Sequence, residues 1–216
     1  MTDFLLADPA ASGPVLVLAH GAGAAMDSPF MSRFADLMAE RGVATARFEF
    51  PYMAARRTGG KKRPPPKAES LTNDYLRAVA EIEAAHPGRR VFIGGKSMGG
   101  RVASHVADEL YRASRIAGLV CLGYPFHPPN TPGTMRTAHF FGLRCPMLIV
   151  QGERDPFGSR AEIDPLPLSK AIEIAWIGDG DHDLGPRGAS GFTRKGNLAV
   201  AADTVAAFVS RLAAAA

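Results

Sequence analysis

The chain has 216 residues and a mass of 22.9 kDa, the size of one ordinary domain or at most two small ones. Hydrophobic residues make up 46% of the sequence and charged residues 21%, which argues against wholesale disorder and fibrous repeats. The longest apolar runs, such as 15–19 and 146–150, are too short to cross a bilayer, and no leader pattern follows Met1. We therefore expect one cytoplasmic domain, residues 1–216, without a membrane partner.

The two cysteines, Cys121 and Cys145, lie in or beside apolar runs, with no C-x-x-C pair and no histidine-rich spacing nearby. This pattern argues against a disulfide framework and against a structural zinc site. Both thiols are therefore predicted to be reduced and packed in the interior.

The formal net charge of +4 has a local origin in residues 56–67, the basic segment, which carries six basic residues and no acidic one. Because Gly59, Gly60 and three prolines interrupt it, the basic segment is predicted to be an exposed loop without a regular helix or a central strand. Two interpretations stay open, a solvated loop or a clamp for an anionic substrate or partner. Since the charge does not form a basic face, no nucleic-acid partner is expected.

In chain order, short β-rich runs alternate with longer amphipathic stretches. Six strands are predicted, at 15–18, 44–48, 91–94, 119–122, 147–150 and 172–177. Four helices are predicted, at about 28–41, 71–86, 98–112 and 197–213. Continuous apolar strands that alternate with helices are typical of a doubly wound, mostly parallel α/β sheet covered on both faces.

The run Gly-Gly-Lys-Ser-Met-Gly-Gly at 94–100 carries the strongest chemical signal, because G-x-S-x-G stands here between a predicted strand and a predicted helix. Such a turn holds its serine in a strained conformation, so the hydroxyl of Ser97 is predicted to project from the sheet edge as a nucleophile. The N–H of Met98 would then lie at a helix N-terminus, where it can stabilise an oxyanion. The alternatives are a turn that only packs the helix on the sheet and a phosphate-binding turn.

A nucleophilic serine needs a base, and in this arrangement the chain order is serine, acid, histidine. Of the six histidines, only His182 follows a candidate acid, and it lies in a glycine-broken loop after an apolar strand. The acid is expected in the turn after strand 147–150, where Asp155 is favoured and Glu153 is the alternative. A turn-forming role for Asp155, ahead of Pro156, also stays open.

The loop after the first strand is rich in small residues and is predicted to supply the second oxyanion donor. Ala22 is the favoured N–H donor, and Gly23 is the next candidate and a possible substrate contact. His20, at the end of the strand, is interpreted as a structural hydrogen-bonding residue rather than a proton carrier.

Residues 124–145, between two predicted strands, are too few to form a lid of several tens of residues. They are predicted to form a short rim over Ser97, in which Phe126 and His127 contact the substrate. Packing of the aromatic residues in the core is the alternative.

Five motifs together resemble those of a small α/β-hydrolase family, namely LAHGAG at 18–23, GKSMGG at 95–100, GYPFHPP at 123–129, QGERDPFG at 151–158 and GDHDL at 180–184. The family consists of bacterial hydrolases described as dienelactone-hydrolase-like, and it is similar to the hydrolase-like domain of a histone acetyltransferase complex subunit. The resemblance spans essentially the whole chain. It implies an α/β-hydrolase fold without a cap domain.

The residues and the resemblance together predict a serine hydrolase acting on a small-molecule ester, thioester or lactone through an acyl-enzyme. Ser97 attacks, His182 takes and returns the proton, and Asp155 orients the imidazole. The N–H groups of Met98 and Ala22 hold the oxyanion. No metal or organic cofactor is implied. The alternative is a non-catalytic interaction module on the same scaffold, with the basic segment as its contact surface.

Overall fold

The computed structural model describes residues 2–9, 12–61 and 64–214. Seven strands form one sheet, β1 (Phe4–Ala7), β2 (Val15–Ala19), β3 (Ala44–Phe48), β4 (Val91–Lys96), β5 (Leu119–Leu122), β6 (Met147–Gly152) and β7 (Ile172–Ile177). Their order in space is β1-β3-β2-β4-β5-β6-β7. Every neighbouring pair is parallel except β1 and β3, so the predicted mostly parallel sheet is confirmed.

Strand β1 is missing from the sequence-based prediction. It has four residues and, as an edge strand, is only partly buried, whereas β5, of the same length, is fully buried. It pairs antiparallel with β3, from Phe4 opposite Phe48 to Ala7 opposite Thr45. Only this long-range pairing defines it as a strand.

The helices are α1 (Pro29–Ala39), α2 (Pro51–Arg57), α3 (Thr72–Ala85), α4 (Met98–Arg112), α5 (Arg160–Ile163) and α6 (Arg194–Ala214), with short 3-10 turns at Ala68–Leu71 and Ala138–Phe140. Helix α2 corrects the expectation that the basic segment contains no helix, because Arg56 and Arg57 form its last turn. Pro51 opens α2 at a position where its missing N–H needs no partner. The helix ends just before Gly59, whose φ is +86°.

Alternate residues of the central strands point to opposite faces of the sheet. Val15 and Val17 of β2 belong to the core under α3 and α4, whereas Leu16 and Leu18 belong to the core under α1 and α6. Because both faces are covered, the central strands are continuous apolar runs, as the sequence predicted.

Among the described residues, α6 is the one helix long and apolar enough to cross a membrane by length and composition. Its residues Leu198, Val205 and Val209 are buried against the sheet. Since a core helix passes the same test, this is weak evidence for a membrane span.

The carboxyl ends of the parallel strands meet at one edge of the sheet, where open α/β sheets place their ligand sites. Ala22 follows β2, Ser97 follows β4, Asp155 follows β6 and His182 follows β7. The topology therefore brings four separate segments to one place.

Candidate active site

Ser97 stands on the turn between β4 and α4, with φ 52° and ψ −117°. Residues with a side chain rarely adopt this conformation, and it persists only where the surroundings impose it. Here the N–H of Ser97 donates to the carbonyl of Leu122 at 2.9 Å. A Cβ at Gly95 would lie 2.6 Å from the carbonyl oxygen of Ala19, so only glycine lets the turn approach β2 this closely.

A continuous hydrogen-bonded chain joins Ser97, His182 and Asp155. His182 Nε2 lies 2.8 Å from Ser97 Oγ, and His182 Nδ1 lies 2.8 Å from Asp155 Oδ2. Since a carboxylate can only accept, Nδ1 carries the proton in this chain and Nε2 accepts from the serine hydroxyl. The centroid of the Phe157 ring lies 4.3 Å from the centroid of the imidazole, and this packing restricts rotation of the imidazole. The arrangement can transfer a proton from the serine as it attacks an electrophile.

The carboxylate of Asp155 is fully buried, at 0% exposure, and each of its oxygens is hydrogen-bonded. Oδ1 accepts from the N–H of Phe157 at 2.9 Å, and Oδ2 accepts from Gln151 Nε2 at 3.0 Å as well as from His182. Gln151 is buried too, and its Oε1 accepts from the N–H of Tyr124 at 2.7 Å. Gln151 was not predicted as part of the site, although an amide at the end of an apolar strand is a signal of a buried polar partner.

Glu153, the alternative acid, performs a different task. Its Oε2 accepts from the N–H of Asp179 at 3.0 Å, and its Oε1 accepts from Arg160 Nη1 at 3.0 Å. These two hydrogen bonds hold the pKa of Glu153 below its ordinary value, and the bond from the N–H of Asp179 has the larger effect. Glu153 therefore anchors the loop after β7, while Asp155 contacts the histidine.

Of the two predicted oxyanion donors, one directly follows Ser97 in the chain and the other lines the same cavity. Met98 is the first residue of α4, so its N–H has no acceptor within the helix. Ala22 lines the same cavity as Ser97. The hydroxyl of Tyr52 donates to the carbonyl of Ala22 at 3.1 Å, which fixes the position of that loop.

His20 supports the Ala22 loop from the interior. It is fully buried, its Nδ1 lies 2.6 Å from the carbonyl of Gly21, and its Nε2 accepts from the N–H of Phe50 at 3.2 Å. Burial lowers the pKa of His20, so the ring is neutral with its proton on Nδ1. These contacts agree with the structural role expected from the sequence.

A cavity of about 940 Å³ opens over Ser97. Its walls come from residues 65–69, from Met98 and Arg101 of α4, and from three residues after β5, namely Pro125, Thr134 and Arg136. The volume is sufficient for a small or medium ligand.

The predicted substrate contacts Phe126 and His127 do not line this cavity, which corrects that expectation. Phe126 is fully buried and packs on Tyr124, with ring centroids 5.1 Å apart. His127 is 2% exposed, and its Nδ1 lies 2.8 Å from the carbonyl of Pro128. Both rings are packed in the interior, the alternative left open above. Gly23 is exposed and also lies outside the cavity wall.

The basic segment divides between two environments. Arg57 forms ion pairs with Asp27 and Glu49, each at 2.8 Å. Lys67 lines the cavity over Ser97. Lys62 and Arg63 lie outside the described residues.

The two cysteines are not part of this site, and the described part of the chain contains no cluster suited to a metal ion. Cys121 and Cys145 are buried free thiols, and burial raises the pKa of Cys145 to about 12. Within residues 2–9, 12–61 and 64–214, no three His, Cys, Asp or Glu side chains form a group that could hold a metal ion.

The sequence profile of the alpha/beta hydrolase domain family matches residues 12–210. The chain therefore belongs to this family, and the resemblance inferred from its motifs is confirmed.

Solved structures with the same fold include several hydrolases. Est1E from Butyrivibrio proteoclasticus, solved with ferulic acid bound, has a TM-score of 0.71 at 16% identity, covering 99% of this chain and 96% of that one. Dienelactone hydrolase from Anabaena variabilis has a TM-score of 0.70 at 20% identity, with 95% and 89% coverage. XC6422 from Xanthomonas campestris, a serine hydrolase without a lid, has a TM-score of 0.61 at 21% identity, with 85% and 81% coverage. The chain therefore has the fold of lidless alpha/beta hydrolases.

Proposed function

We propose that this protein is a serine hydrolase that cleaves a small or medium carboxylic ester, thioester or lactone through an acyl-enzyme intermediate. The observation that carries the proposal is the hydrogen-bonded chain from Ser97, which lines an open cavity, through His182 to Asp155. Membership of the alpha/beta hydrolase family supports the same class of reaction.

In the acylation step, Ser97 Oγ attacks the carbonyl carbon while its proton passes to His182 Nε2. The carbonyl oxygen becomes an oxyanion, which the N–H groups of Met98 and Ala22 stabilise. The buried Asp155 carboxylate stabilises the imidazolium that forms. His182 then gives its proton to the leaving oxygen or sulfur, the bond to the carbonyl carbon breaks, and the acyl group stays on Ser97.

In the deacylation step, a water takes the place of the leaving group. His182 Nε2 accepts a proton from this water, whose oxygen attacks the acyl carbon and regenerates the oxyanion. Collapse of the oxyanion returns the proton to Ser97 Oγ and releases the acid. For a lactone the leaving hydroxyl belongs to the same molecule as the acyl group, so one ring-opened hydroxy acid is released.

Labelling with a fluorophosphonate probe tests the proposal, because the probe reacts only with an activated serine. We expect labelling of the native protein and of Ser210→Ala, which removes an exposed hydroxyl on α6, but not of Ser97→Ala. Hydrolysis of a para-nitrophenyl ester should follow the same pattern. Ester hydrolysis by Ser97→Ala within about tenfold of the native rate would place the nucleophile elsewhere, since loss of the serine removes the covalent route entirely.

The competing interpretation, an interaction module that uses the basic segment as its contact surface, has less support. Arg57 is neutralised by Asp27 and Glu49, and Lys67, although exposed, lines the cavity over Ser97. The cytoplasmic location and the single-domain organisation stay predictions.

A further inference from the structure

The cavity over Ser97 carries an excess of positive charge on its wall. Among the described residues, three cationic side chains line it, those of Lys67, Arg101 and Arg136, against a single carboxylate, that of Glu69. Much of the remaining wall is apolar, including Ala22, Pro65, Pro66, Ala68, Pro125 and Phe157. A neutral acyl chain would need no such charges. Whether the three cationic side chains are available to a ligand depends on the partners that each has within the protein.

The one carboxylate is already engaged. Glu69 Oε1 forms an ion pair with Arg101 Nη2, and His105 Nε2 lies 3.6 Å from the same oxygen. Glu69 is therefore paired with Arg101, and neither Arg136 nor Lys67 forms an ion pair with a described residue. Lys67 is exposed at the mouth of the cavity, whereas Arg136 is half-buried.

The guanidinium of Arg136 forms no hydrogen bond or ion pair with any of the described residues, although its main chain is firmly held. Its N–H donates to the carbonyl of Phe126 at 2.7 Å, and its carbonyl accepts from the hydroxyl of Tyr124 at 2.9 Å. Burial, together with the nearby charge of Arg101, lowers the pKa of Arg136. A cation in such a position is stabilised when an anion binds to it, because the anion replaces the water lost on burial.

We propose that Arg136 is the binding group for a carboxylate on the substrate, so that the preferred substrates of this enzyme are esters, thioesters or lactones that carry a negative charge. Arg136 and Ser97 line the same cavity, so one small molecule can present its carboxylate to the guanidinium and its ester carbonyl to the serine. The planar guanidinium can donate two parallel hydrogen bonds to the two carboxylate oxygens. Lys67 at the mouth adds attraction that salt screens. This inference rests on the proposed hydrolase function.

Matched ester pairs test the proposal. The first pair is para-nitrophenyl pentanoate and mono-para-nitrophenyl glutarate, which differ by a carboxylate on the acyl side. The second pair is the methyl ester and the free acid of para-(pentanoyloxy)benzoate, which differ by a carboxylate on the leaving group. We expect the native enzyme to prefer the charged member of one pair, which also identifies the side of the substrate that Arg136 contacts.

Arg136→Gln should lower that preference, measured as the ratio of kcat/KM within the pair, by about tenfold or more, mainly through KM. Arg136→Lys should restore part of it, and Arg136→Glu should abolish it. Arg112→Gln is the control, because it removes the same charge at the far end of α4, roughly 20 Å along the helix from Met98. The preference of Arg112→Gln for the charged ester should equal that of the native enzyme.

A binding measurement separates failure of this inference from failure of the proposed function. Ser97→Ala protein should bind mono-para-nitrophenyl glutarate in calorimetry, and Ser97→Ala/Arg136→Gln should bind it at least about tenfold more weakly, with the difference shrinking in high salt. If neither pair is hydrolysed but this binding difference is present, the anion site stands and the proposed reaction does not. Equal preference in the native enzyme and Arg136→Gln, or equal binding by the two Ser97→Ala proteins, would overturn the inference even if Ser97-dependent hydrolysis is found.

Discussion

Lys96 Nζ lies 3.2 Å from Asp183 Oδ1, so an ion pair joins the residue before Ser97 to the residue after His182. The lysine side chain is 9% exposed, and its ammonium lies 5.5 Å from the centroid of the Phe30 ring. Burial lowers the pKa of Lys96, and the carboxylate of Asp183 opposes that effect. The pair therefore holds together the two loops that carry the proposed nucleophile and base.

Lys96→Met removes this ion pair while keeping a side chain of similar length. Because the histidine loop loses its tether to β4, we expect kcat for a neutral ester to fall by about tenfold, with a smaller change in KM. The Asp183 side chain is 59% exposed, so its carboxylate stays solvated when the lysine is removed, and Tm should change little. An unaltered kcat would show that the pair does not position His182.

Asp183→Asn makes the complementary change. It leaves the buried ammonium of Lys96 without its nearest carboxylate, and an uncompensated buried charge is costly, so Tm should fall more than in Lys96→Met. The double variant Lys96→Met/Asp183→Asn should regain Tm but not kcat. This comparison separates the effect of the pair on stability from its effect on the geometry of the site.

Gly123, after β5, controls how closely the histidine loop approaches the sheet. Its φ is +65°, and a Cβ there would lie 2.8 Å from the carbonyl oxygen of His182 and 3.3 Å from its Nδ1. Gly123→Ala should displace the imidazole and lower kcat/KM by about a hundredfold, since a displacement of about 1 Å can cost that much. Ester hydrolysis by the purified variant measures the loss.

Gly42→Ala is a matched control for Gly123→Ala. Gly42 has a φ of +75°, and a Cβ there would meet nothing within 4 Å. Gly42→Ala should lose about 1–2 kcal/mol of stability, because alanine is strained at positive φ, and Gly123→Ala should lose more because its Cβ also meets the carbonyl oxygen of His182. Only Gly123→Ala should lose activity, and equal kinetics for the two variants would contradict the inferred clash with His182.

His139 is expected to make stability depend on pH. Its Nε2 lies 2.9 Å from Ser104 Oγ, its ring stacks on that of His105 at 4.4 Å, and burial, followed by the charges of His105 and Arg101, lowers its pKa from 6.5 to about 4. Between these two pH values the unfolded chain binds a proton that the folded chain does not, so stability should fall as the pH drops from about 6.5 towards about 4.

His139→Gln cannot titrate at this position, so its stability should fall less over the same pH range. Urea midpoints for both proteins between about pH 7 and about pH 5 measure the difference. His105, whose pKa burial also lowers, should leave a residual slope in the variant. Parallel pH profiles for the two proteins would mean that His139 does not contribute.

Local sequence signals predicted much of the fold and the convergence of the site residues. The positions of strands β2 to β7 followed from apolar runs, and the choice of Ser97, Asp155 and His182 followed from the chain order after a G-x-S-x-G turn. The distances between these three residues agree with that expectation, while their catalytic roles stay predictions.

Features that depend on distant contacts could not be predicted from the sequence. Phe126 was expected at the substrate because its segment was predicted to cross Ser97, yet its ring is packed against Tyr124 and under Gly158. Likewise, the pairing of Glu69 with Arg101, while Arg136 has no such partner among the described residues, joins positions far apart in the sequence. Neither the packing of Phe126 nor the pairing of Glu69 leaves a pattern in the neighbouring sequence.

Gln151 provides a final prediction about the acid. Its Nε2 donates to Asp155 Oδ2, and its Oε1 accepts from the N–H of Tyr124. Gln151→Met keeps the side-chain volume but leaves the buried N–H of Tyr124 without an acceptor and the Asp155 carboxylate with one donor fewer. The stability should fall by about 1–3 kcal/mol. Because Asp155 is then less firmly oriented towards His182, kcat should also fall by about tenfold, which steady-state ester hydrolysis measures.

Gln151→Glu retains an acceptor for Tyr124 but puts a second carboxyl group beside Asp155, so one of the two must take up a proton. As the pH rises, this proton is lost, so the activity of Gln151→Glu should decline, whereas that of Gln151→Met should not. Identical pH profiles for the two variants would show that Gln151 does not act through Asp155.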